Sequence, residues 1–438
     1  MAVVFVLVAV AVLALLAGVH RYVWRRLVGD TTAPGSALRK AGTVAAWLLP
    51  LLSVGALVSG RAGAPFWLQR TLAWPGFLWL AALLYLTLAL LVGEAVRPIL
   101  RRVPARRAAG GAAAAADDGT SAAGSATAAG IRSAETGPAP ADAPASGTPV
   151  TLVADAPASS PAVGPSRRLF VARAVGGAAA VAGFGTVGYG TYGVLRGPRV
   201  KRVTVPLAKL PRSAHGFRIA VVSDIHLGPI LGRAHTQRIV DTINRTQPDL
   251  IAVVGDLVDG SVHDLGPAAE PLARLTSRHG AFFVTGNHEY FSGAAQWVSH
   301  VRELGLHPLE NARVEIDGFD LAGVNDIAGE SEGQGPDFDR ALGDRDRTRA
   351  SVLLAHQPVV IDDAVAHGVD LQLSGHTHGG QLWPGNYIAE LANPTVAGLE
   401  RYGDTQLYVS RGAGAWGPPV RVGAPSDITV VQLASRQA

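Results

Sequence analysis

The sequence LIAVVGDLVDG at residues 250–260 joins a short apolar run to two acids that lie between glycines. The run Leu250–Val254 predicts a buried β-strand, and the flanking glycines predict the turn that ends it. Asp256 and Asp259 therefore lie in a loop at the end of the strand. A surface turn with solvated aspartates explains this segment equally well by itself, so the interpretation depends on what else in the chain meets Asp256.

The pattern recurs along residues 217–438, where short apolar runs alternate with helical segments. The further predicted strands are 218–223, 281–285, 351–355 and 370–373, and the predicted helices are 233–246, 266–278, 293–304 and 359–367. This alternation predicts a layered α/β domain. We expect 405–410 and 427–433 to be strands that complete a second sheet. Loops after strand ends are where such folds place ligands.

Five of these strands end in acids or histidines. The blocks are Asp224-Ile225-His226, Asp256 with Asp259, Asn287-His288-Glu289, His356, and His376-Thr377-His378. A lone histidine is usually an ordinary polar residue, but five such blocks at strand ends of one domain indicate a metal site. Mixed oxygen and imidazole donors suit Mn, Fe or Zn better than Ca. Two ions about 3.5–4 Å apart need a shared ligand, and a carboxylate is the natural bridge.

The motif order D-x-H, G-D-x-x-D, G-N-H-E, H and G-H-x-H resembles the calcineurin-like metallophosphoesterase superfamily over roughly residues 217–434. The resemblance implies an α/β fold in which a layered β-sheet sandwich is flanked by helices. It also implies an enzyme that hydrolyses phosphate esters, monoesters or diesters, with two divalent metal ions, for which Mn, Fe and Zn are the candidates. The substrate could be a lipid-linked phosphodiester or a cell-wall phosphate.

The resemblance also implies a role for each matching residue. One metal would be held by Asp224, His226, Asp256 and His378, and the other by Asp256, Asn287, His356 and His376. His288 would be the general acid that protonates the leaving alkoxide, and Asp259 would fix its orientation. A histidine paired with a carboxylate suits proton transfer near neutral pH.

Three segments are similar to the membrane-anchored bacterial envelope branch of that superfamily. They are SDIHLG at 223–228, LAHQP at 354–358 and GHTHGGQ at 375–381. Phosphoprotein phosphatases carry an arginine directly after the second aspartate of the G-D-x-x-D block. Gly260 occupies that position here, which argues against a protein phosphatase and leaves the phosphate-contacting group unassigned.

Residues 1–102 form an all-α membrane region with three predicted transmembrane helices, in the apolar runs 2–19, 43–60 and 76–93. Arginine and lysine clusters follow the first and third runs, which places those ends in the cytoplasm and the N-terminus outside. The segment 103–166 is rich in Ala, Gly and Pro, and this composition predicts a disordered linker.

Residues 167–196 contain a glycine-rich apolar run after Arg167 and Arg168. We interpret this segment either as a fourth transmembrane helix or as a twin-arginine-like anchor. Under both interpretations, the chain passes from the cytoplasm to the outside of the membrane in this segment. The metallophosphoesterase domain, 200–438, would then be an extracytoplasmic part of a multi-pass protein of the cytoplasmic membrane.

Charge and composition exclude several classes of protein. Residues 1–199 carry 18 Lys and Arg against 7 Asp and Glu, whereas residues 200–438 carry 20 against 27. The basic character therefore belongs to the membrane region, and we expect no nucleic-acid partner. The chain has no cysteine, which excludes disulfides and thiolate sites.

The alternative hypothesis is a non-catalytic membrane sensor or transport-associated protein that binds a phosphorylated ligand. The three early apolar runs contain almost no ionisable residue, with Glu94 at a boundary. A translocation pathway would normally need such residues. This argues against transport, whereas metal-dependent binding without turnover would favour a sensor.

Overall fold

The computed structural model describes residues 2–116 and 167–437. The N-terminal part consists of α1 (Ala2–Trp24), a π-helical turn (Arg25–Gly29), α2 (Ala37–Ser59), α3 (Phe66–Ala116) and α4 (Arg167–Leu195). Helix α3 continues into the segment predicted to be a disordered linker. The rest of that segment, 117–166, lies outside the described residues, so the linker stays a prediction.

Three helices are long and apolar enough to cross a membrane, judged by length and composition over the described part of the chain: α2, residues Phe66–Leu100 of α3, and α4. They coincide with the second and third predicted spans and with the predicted fourth span or anchor. Helix α1 covers the predicted first span, which stays a prediction. Ser36 caps α2, where its side chain accepts a hydrogen bond from the backbone N–H of Arg39.

Helices α3 and α4 pack closely because small residues face larger ones. A Cβ atom on Gly183 would lie 2.8 Å from a methyl carbon of Leu86. Glycine at such positions allows helix backbones to approach each other. Near the other end of this pair, Arg26 Nε lies 2.9 Å from Glu94 Oε1, and Arg97 Nη1 lies 3.2 Å from the same oxygen. This ion-pair cluster ties the turn after α1 to α3.

The C-terminal domain contains two six-stranded sheets. The first has the order β1-β12-β2-β3-β4-β5 and the second β10-β11-β9-β8-β7-β6. The strands are β1 Arg199–Leu207, β2 Arg218–Val222, β3 Leu250–Val254, β4 Ala281–Val284, β5 His307–Pro308, β6 Ala312–Ile316, β7 Phe319–Gly323, β8 Ala350–Leu354, β9 Leu371–Ser374, β10 Gly398–Tyr402, β11 Thr405–Val409 and β12 Asp427–Ser435. The helices are α5 Arg233–Arg245, α6 Val262–Ala269, α7 Asn287–Ser292, α8 Ala294–Glu303, α9 Phe338–Leu342, α10 Ile361–Ala366 and α11 Gly385–Ala392.

The main core lies between the two sheets. Val221 and Val254 of the first sheet pack in one apolar cluster with Leu321, Leu354 and Leu373 of the second. A second cluster packs α5, α6 and α8 on the outer face of the first sheet. A third packs α9 and α10 on the outer face of the second sheet. The predicted α/β class, a layered sheet sandwich flanked by helices, is confirmed.

The predicted strands are present, but one of them was assigned to the wrong sheet. Strand β12, predicted at 427–433 to complete the second sheet, lies in the first sheet between β1 and β2. Strand β11 does lie in the second sheet. A local apolar pattern identifies a strand but carries no information about its long-range partners, which explains the error.

Candidate metal centre

The five blocks of acids and histidines meet at one edge of the sandwich. Parallel strands β2, β3 and β4 of the first sheet bring Asp224 and His226, then Asp256 and Asp259, then Asn287 and His288. Parallel strands β8 and β9 of the second sheet bring His356, then His376 and His378. The carboxyl ends of both sheets therefore face a shared site.

One potential metal-binding group consists of Asp224, His226 and His378, all of them buried. The Nε2 atoms of His226 and His378 lie 3.0 Å apart. The Nε2 atom of His378 lies 3.4 Å from Asp224 Oδ1. Three donor atoms from two loops, one after β2 and one after β9, thus lie close together.

A second potential group consists of Asp256, His356 and His376. His356 Nε2 lies 3.1 Å from Asp256 Oδ2. The side-chain oxygen of Asn287 lies 3.1 Å from His376 Nδ1 and joins this group. Asp256 also faces the first group, since the same Oδ2 atom lies 3.7 Å from His226 Nε2. One carboxylate therefore lies between the two groups.

Asp259 contacts two histidines. Its Oδ1 atom lies 2.6 Å from His288 Nδ1, as the predicted pairing requires, and 3.0 Å from His226 Nδ1. Carboxylates commonly orient histidine ligands in this way and leave the other ring nitrogen for a metal. Only the contact with His288 was predicted from the sequence, and the contact with His226 follows from the folded arrangement.

The nitrogen and oxygen atoms of these two groups do not satisfy one another through hydrogen bonds, but they could bind metal ions. The buried His356 Nε2 atom has no hydrogen-bond partner among the described residues, although a carboxylate oxygen is near. The facing nitrogens of His226 and His378 can share only one proton between them. Buried polar atoms are normally paired, so a cation that accepts lone pairs would satisfy this set. These His and Asp groups could bind metal ions.

The electrostatics of the site favour positive charge. Burial raises the pKa of Asp224, and the charge of Asp256 raises it further. Burial lowers the pKa of His226, but the charge of Asp259 and its hydrogen bond outweigh burial and raise that pKa to about 9. The carboxylates therefore stabilise a cation at His226, whereas burial lowers the pKa values of His376 and His378 and keeps these imidazoles neutral. A bound metal supplies that charge with the imidazoles neutral.

The backbone at the site is strained. Among the described residues, eight residues other than glycine have positive φ, and five of these are at the site: Asp224, His226, Asp256, His376 and His378. Such residues cost about 1–3 kcal/mol each and persist only where the surrounding fold enforces them. At Gly286, a Cβ atom would collide with the Asp256 carboxylate, so glycine is required there. Strain concentrated in this way is typical of a functional site.

Glu289 has a supporting role that the sequence analysis did not assign. It is completely buried and accepts hydrogen bonds from the backbone N–H groups of Gly286, Asp256 and Leu257, at 2.6, 3.0 and 2.8 Å. Burial raises its pKa to about 7, and the charge of Asp256 contributes to this shift. Glu289 thus fixes the loop that carries Asp256 against the loop that carries Asn287.

Arg421 supports the site from the opposite side. Its guanidinium donates to the backbone oxygens of Gly414, His378 and Ala424 and lies 3.0 Å from His378 Nδ1. Burial lowers its pKa to about 10. The sequence does not predict this role for Arg421, because an arginine 43 positions from His378 gives no local signal of its target.

Comparisons with known proteins agree with this geometry. A family model described as calcineurin-like phosphoesterase matches residues 217–380. A transmembrane protein with metallophosphoesterase domain from Danio rerio is 38% identical over 259 residues, which cover 56% of this chain and 59% of that protein. An uncharacterized metallophosphoesterase from Aquifex aeolicus is 35% identical over 240 residues, which cover 54% of this chain and 91% of that protein. The uncharacterized metallophosphoesterase YkuE of Bacillus subtilis is 31% identical over 62% of this chain and 98% of its own.

The match thus spans about three fifths of the Danio rerio relative. Among solved structures, a dimetal phosphatase from Danio rerio is 11% identical and is matched over 50% of this chain and 93% of that chain, with a TM-score of 0.34. A likeness at this score carries no argument about activity.

Proposed function

The chain belongs to the calcineurin-like metallophosphoesterase family, and from this premise we propose that its C-terminal domain hydrolyses phosphate esters with two divalent metal ions. One observation carries the proposal. Asp256 lies between two groups of metal-ligand side chains, with a single carboxylate oxygen 3.1 Å from His356 Nε2 and 3.7 Å from His226 Nε2. A shared carboxylate is what a two-metal site needs.

The proposed ligands of the first ion are Asp224, His226, Asp256 and His378, and those of the second are Asp256, Asn287, His356 and His376. Their mixed oxygen and nitrogen donors suit Mn, Fe or Zn. When bound, such ions supply Lewis acidity toward the phosphoryl oxygens and offset the acidic charge of this domain.

His288 is the proposed proton donor to the leaving alkoxide. Asp259 holds its Nδ1 atom at 2.6 Å, and its backbone N–H donates to Asp256 Oδ1 at 2.9 Å. The ring is partly exposed, with 15% of the side chain accessible, so it can reach a substrate that enters from solvent. Since Asp259 fixes one ring nitrogen, the other is available for proton transfer.

The proposal is tested with the full chain in detergent, supplied with Mn²⁺ and assayed with an aryl phosphodiester and an aryl phosphomonoester. We expect metal-dependent cleavage of at least one ester, removal of activity by a chelator, and about two metal equivalents per chain. Asp256→Asn should lower the metal content. It should also lower the activity by at least ~10²-fold, because a bridging ligand is lost.

Asp264→Asn is the matched control, since Asp264 lies in the same part of the chain but is a partly buried residue in the first turn of α6 and belongs to neither group of proposed ligands. Full activity of Asp256→Asn would overturn the two-metal proposal. Metal-dependent binding of the ester without product would instead favour the sensor hypothesis.

We further propose that the catalytic domain lies on the extracytoplasmic side of the cytoplasmic membrane. Phe66, which begins α3, packs against the apolar cluster of the first sheet, so this end of α3 faces the catalytic domain. The basic turn after α1 is tied to Glu94, far along α3. If that basic end is cytoplasmic, the catalytic domain is extracytoplasmic. Protease treatment of intact spheroplasts should digest it, and a fully protected domain would contradict this orientation.

A further inference from the structure

Helix α11 presents an apolar surface to solvent beside the metal centre. All its residues are described, and none of them is buried. Leu391, Ile388 and Tyr387 are 87%, 72% and 58% exposed, and Trp383, just before the helix, is 49% exposed. Tyr387 and Leu391 are one helical turn apart with Ile388 beside them, so the three form one face. We refer to these three residues and Trp383 as the α11 surface.

The α11 surface packs closely against the loop that carries His376 and His378. Helix α11 begins seven positions after His378, and its first residue, Gly385, donates a backbone hydrogen bond to Leu382 at 2.7 Å. The backbone N–H of Trp383 donates to Val422 O at 2.9 Å. A Cβ atom on Gly380 would collide with Asn386, so the loop and the helix are in close contact. Whatever binds this surface is therefore placed beside the metal centre.

The α11 surface is also continuous with the candidate membrane spans. The hydroxyl of Tyr85 in α3 donates to Trp383 O at 3.0 Å. Leu382 and Val422 pack in the same apolar cluster as Leu86 of α3 and Val187 of α4. Tyr85 lies about 28 Å along α3 from Phe66, at a rise of about 1.5 Å per residue. The segment that leads into α11 thus contacts the interior of a candidate span rather than its end.

We propose that the α11 surface is embedded in the bilayer and binds lipid acyl chains, so that the metal centre acts on a phosphate ester of a membrane amphiphile. The substrate part of this inference rests on the proposed hydrolytic function. A lipid surface is favoured over a protein partner because the exposed face joins the spanning helices directly. Tryptophan and tyrosine at its edge are typical of residues at a membrane interface.

The first experiment measures lipid contact without any need for activity. The chain has no cysteine, so Leu391→Cys gives a unique position for an environment-sensitive fluorophore in the full protein reconstituted into phosphatidylcholine vesicles. We expect a blue-shifted emission that nitroxide-labelled lipids quench. Val365→Cys in α10, also exposed at 37%, should be quenched far less. A label at residue 391 that is quenched no more than one at residue 365 overturns the lipid surface.

The second experiment compares two esters with the same leaving group. Methyl p-nitrophenyl phosphate stays in solution, whereas hexadecyl p-nitrophenyl phosphate partitions into the vesicles. We expect the double variant Ile388→Ser, Leu391→Ser to lower the ratio of hexadecyl to methyl kcat/KM by about tenfold or more, because two apolar side chains no longer enter the lipid. Val365→Ser should leave that ratio unchanged.

The two experiments separate failure of this inference from failure of the proposed function. If wild type cleaves the methyl ester and the ratio does not change in the double variant, the membrane-presented substrate is wrong while the hydrolase stands. If wild type cleaves neither diester with added metal but cleaves the aryl phosphomonoester, the substrate inference fails while the hydrolase stands. If it cleaves none of the three esters, the proposed function and the substrate inference both fail, and the quenching result still decides whether α11 lies in lipid.

Discussion

The metal-site loops and the candidate membrane helices differ in what their side chains must do: the loops position single polar atoms, whereas the helices present apolar surface. In the loops, single atoms matter: Asp256 Oδ2 is 3.1 Å from one histidine nitrogen and 3.7 Å from another. In helix α2, side chains such as Trp47 and Leu51 are exposed at 74% and 66%, as expected where the surroundings are lipid. The comparison predicts that substitutions in the loops act on chemistry, whereas those in the helices act through volume and packing.

The largest effect is expected at His288, where a substitution should lower catalytic activity but leave the bound metal in place. His288→Ala should lower kcat by about 10²–10⁴-fold, the usual contribution of a general acid, because no other described side chain is paired with Asp259 at the exposed edge of the site. Metal content, measured by elemental analysis, should stay at the wild-type value, since the proposed ligands are intact.

His263→Ala is the control for this variant, because His263 is an exposed histidine of α6. A His288→Ala protein with unchanged kcat would remove His288 from the proton-transfer step. A variant that loses its metal would instead indicate that His288 is a ligand, which would contradict the separation of roles proposed for the site.

A smaller effect is expected at Glu289, which supports the ligands without being one of them. Glu289→Ala leaves three backbone N–H groups without their acceptor. The loops that carry Asp256 and Asn287 are then free to move apart. We expect metal affinity, measured by titration of the folded protein, to fall about 10–100-fold, the usual cost of losing a residue that orients ligands.

Glu303→Ala provides the comparison, since Glu303 is an exposed acid at the end of α8. Circular dichroism of both variants separates weakened binding from loss of folding. Unchanged metal affinity in folded Glu289→Ala would show that the two loops keep their positions without this buried carboxylate.

The sequence predicts the metal site better than it predicts the fold around it. All seven proposed ligands converge, since each lies directly after a strand and the carboxyl ends of neighbouring parallel strands share an edge. The location of Asp256 between the two groups agrees with what the resemblance implied, and its role as a shared ligand stays a proposal. The second contact of Asp259, with His226, was not predictable, because it depends on how two loops fold over each other.

Contacts between residues far apart in the sequence could not be predicted from the local sequence pattern. Strand β12 has a clear apolar run, but only its pairing with β1 and β2 assigns it to the first sheet. Arg421 reaches His378 from 43 positions away. Helix α11 was missed because the short segment GNYIAELA has no strong helix signal and follows Pro384. Its exposure beside the site became visible only in the folded chain.

The smallest expected effect tests the helices directly, with two glycines of α4. Gly183 faces Leu86, where an added Cβ would lie 2.8 Å from a methyl carbon, whereas no described atom lies within 4 Å of the corresponding position on Gly185. Gly183→Leu should destabilise the α3–α4 pair by about 1–3 kcal/mol through overpacking, and Gly185→Leu should change stability by less than about 0.5 kcal/mol. Thermal unfolding in detergent measures both.

Because both variants add the same side chain to the same helix, a difference between them reports packing alone. Equal stabilities would mean that α3 and α4 do not pack in this register, and the contact of Trp383 with Tyr85 would lose its support.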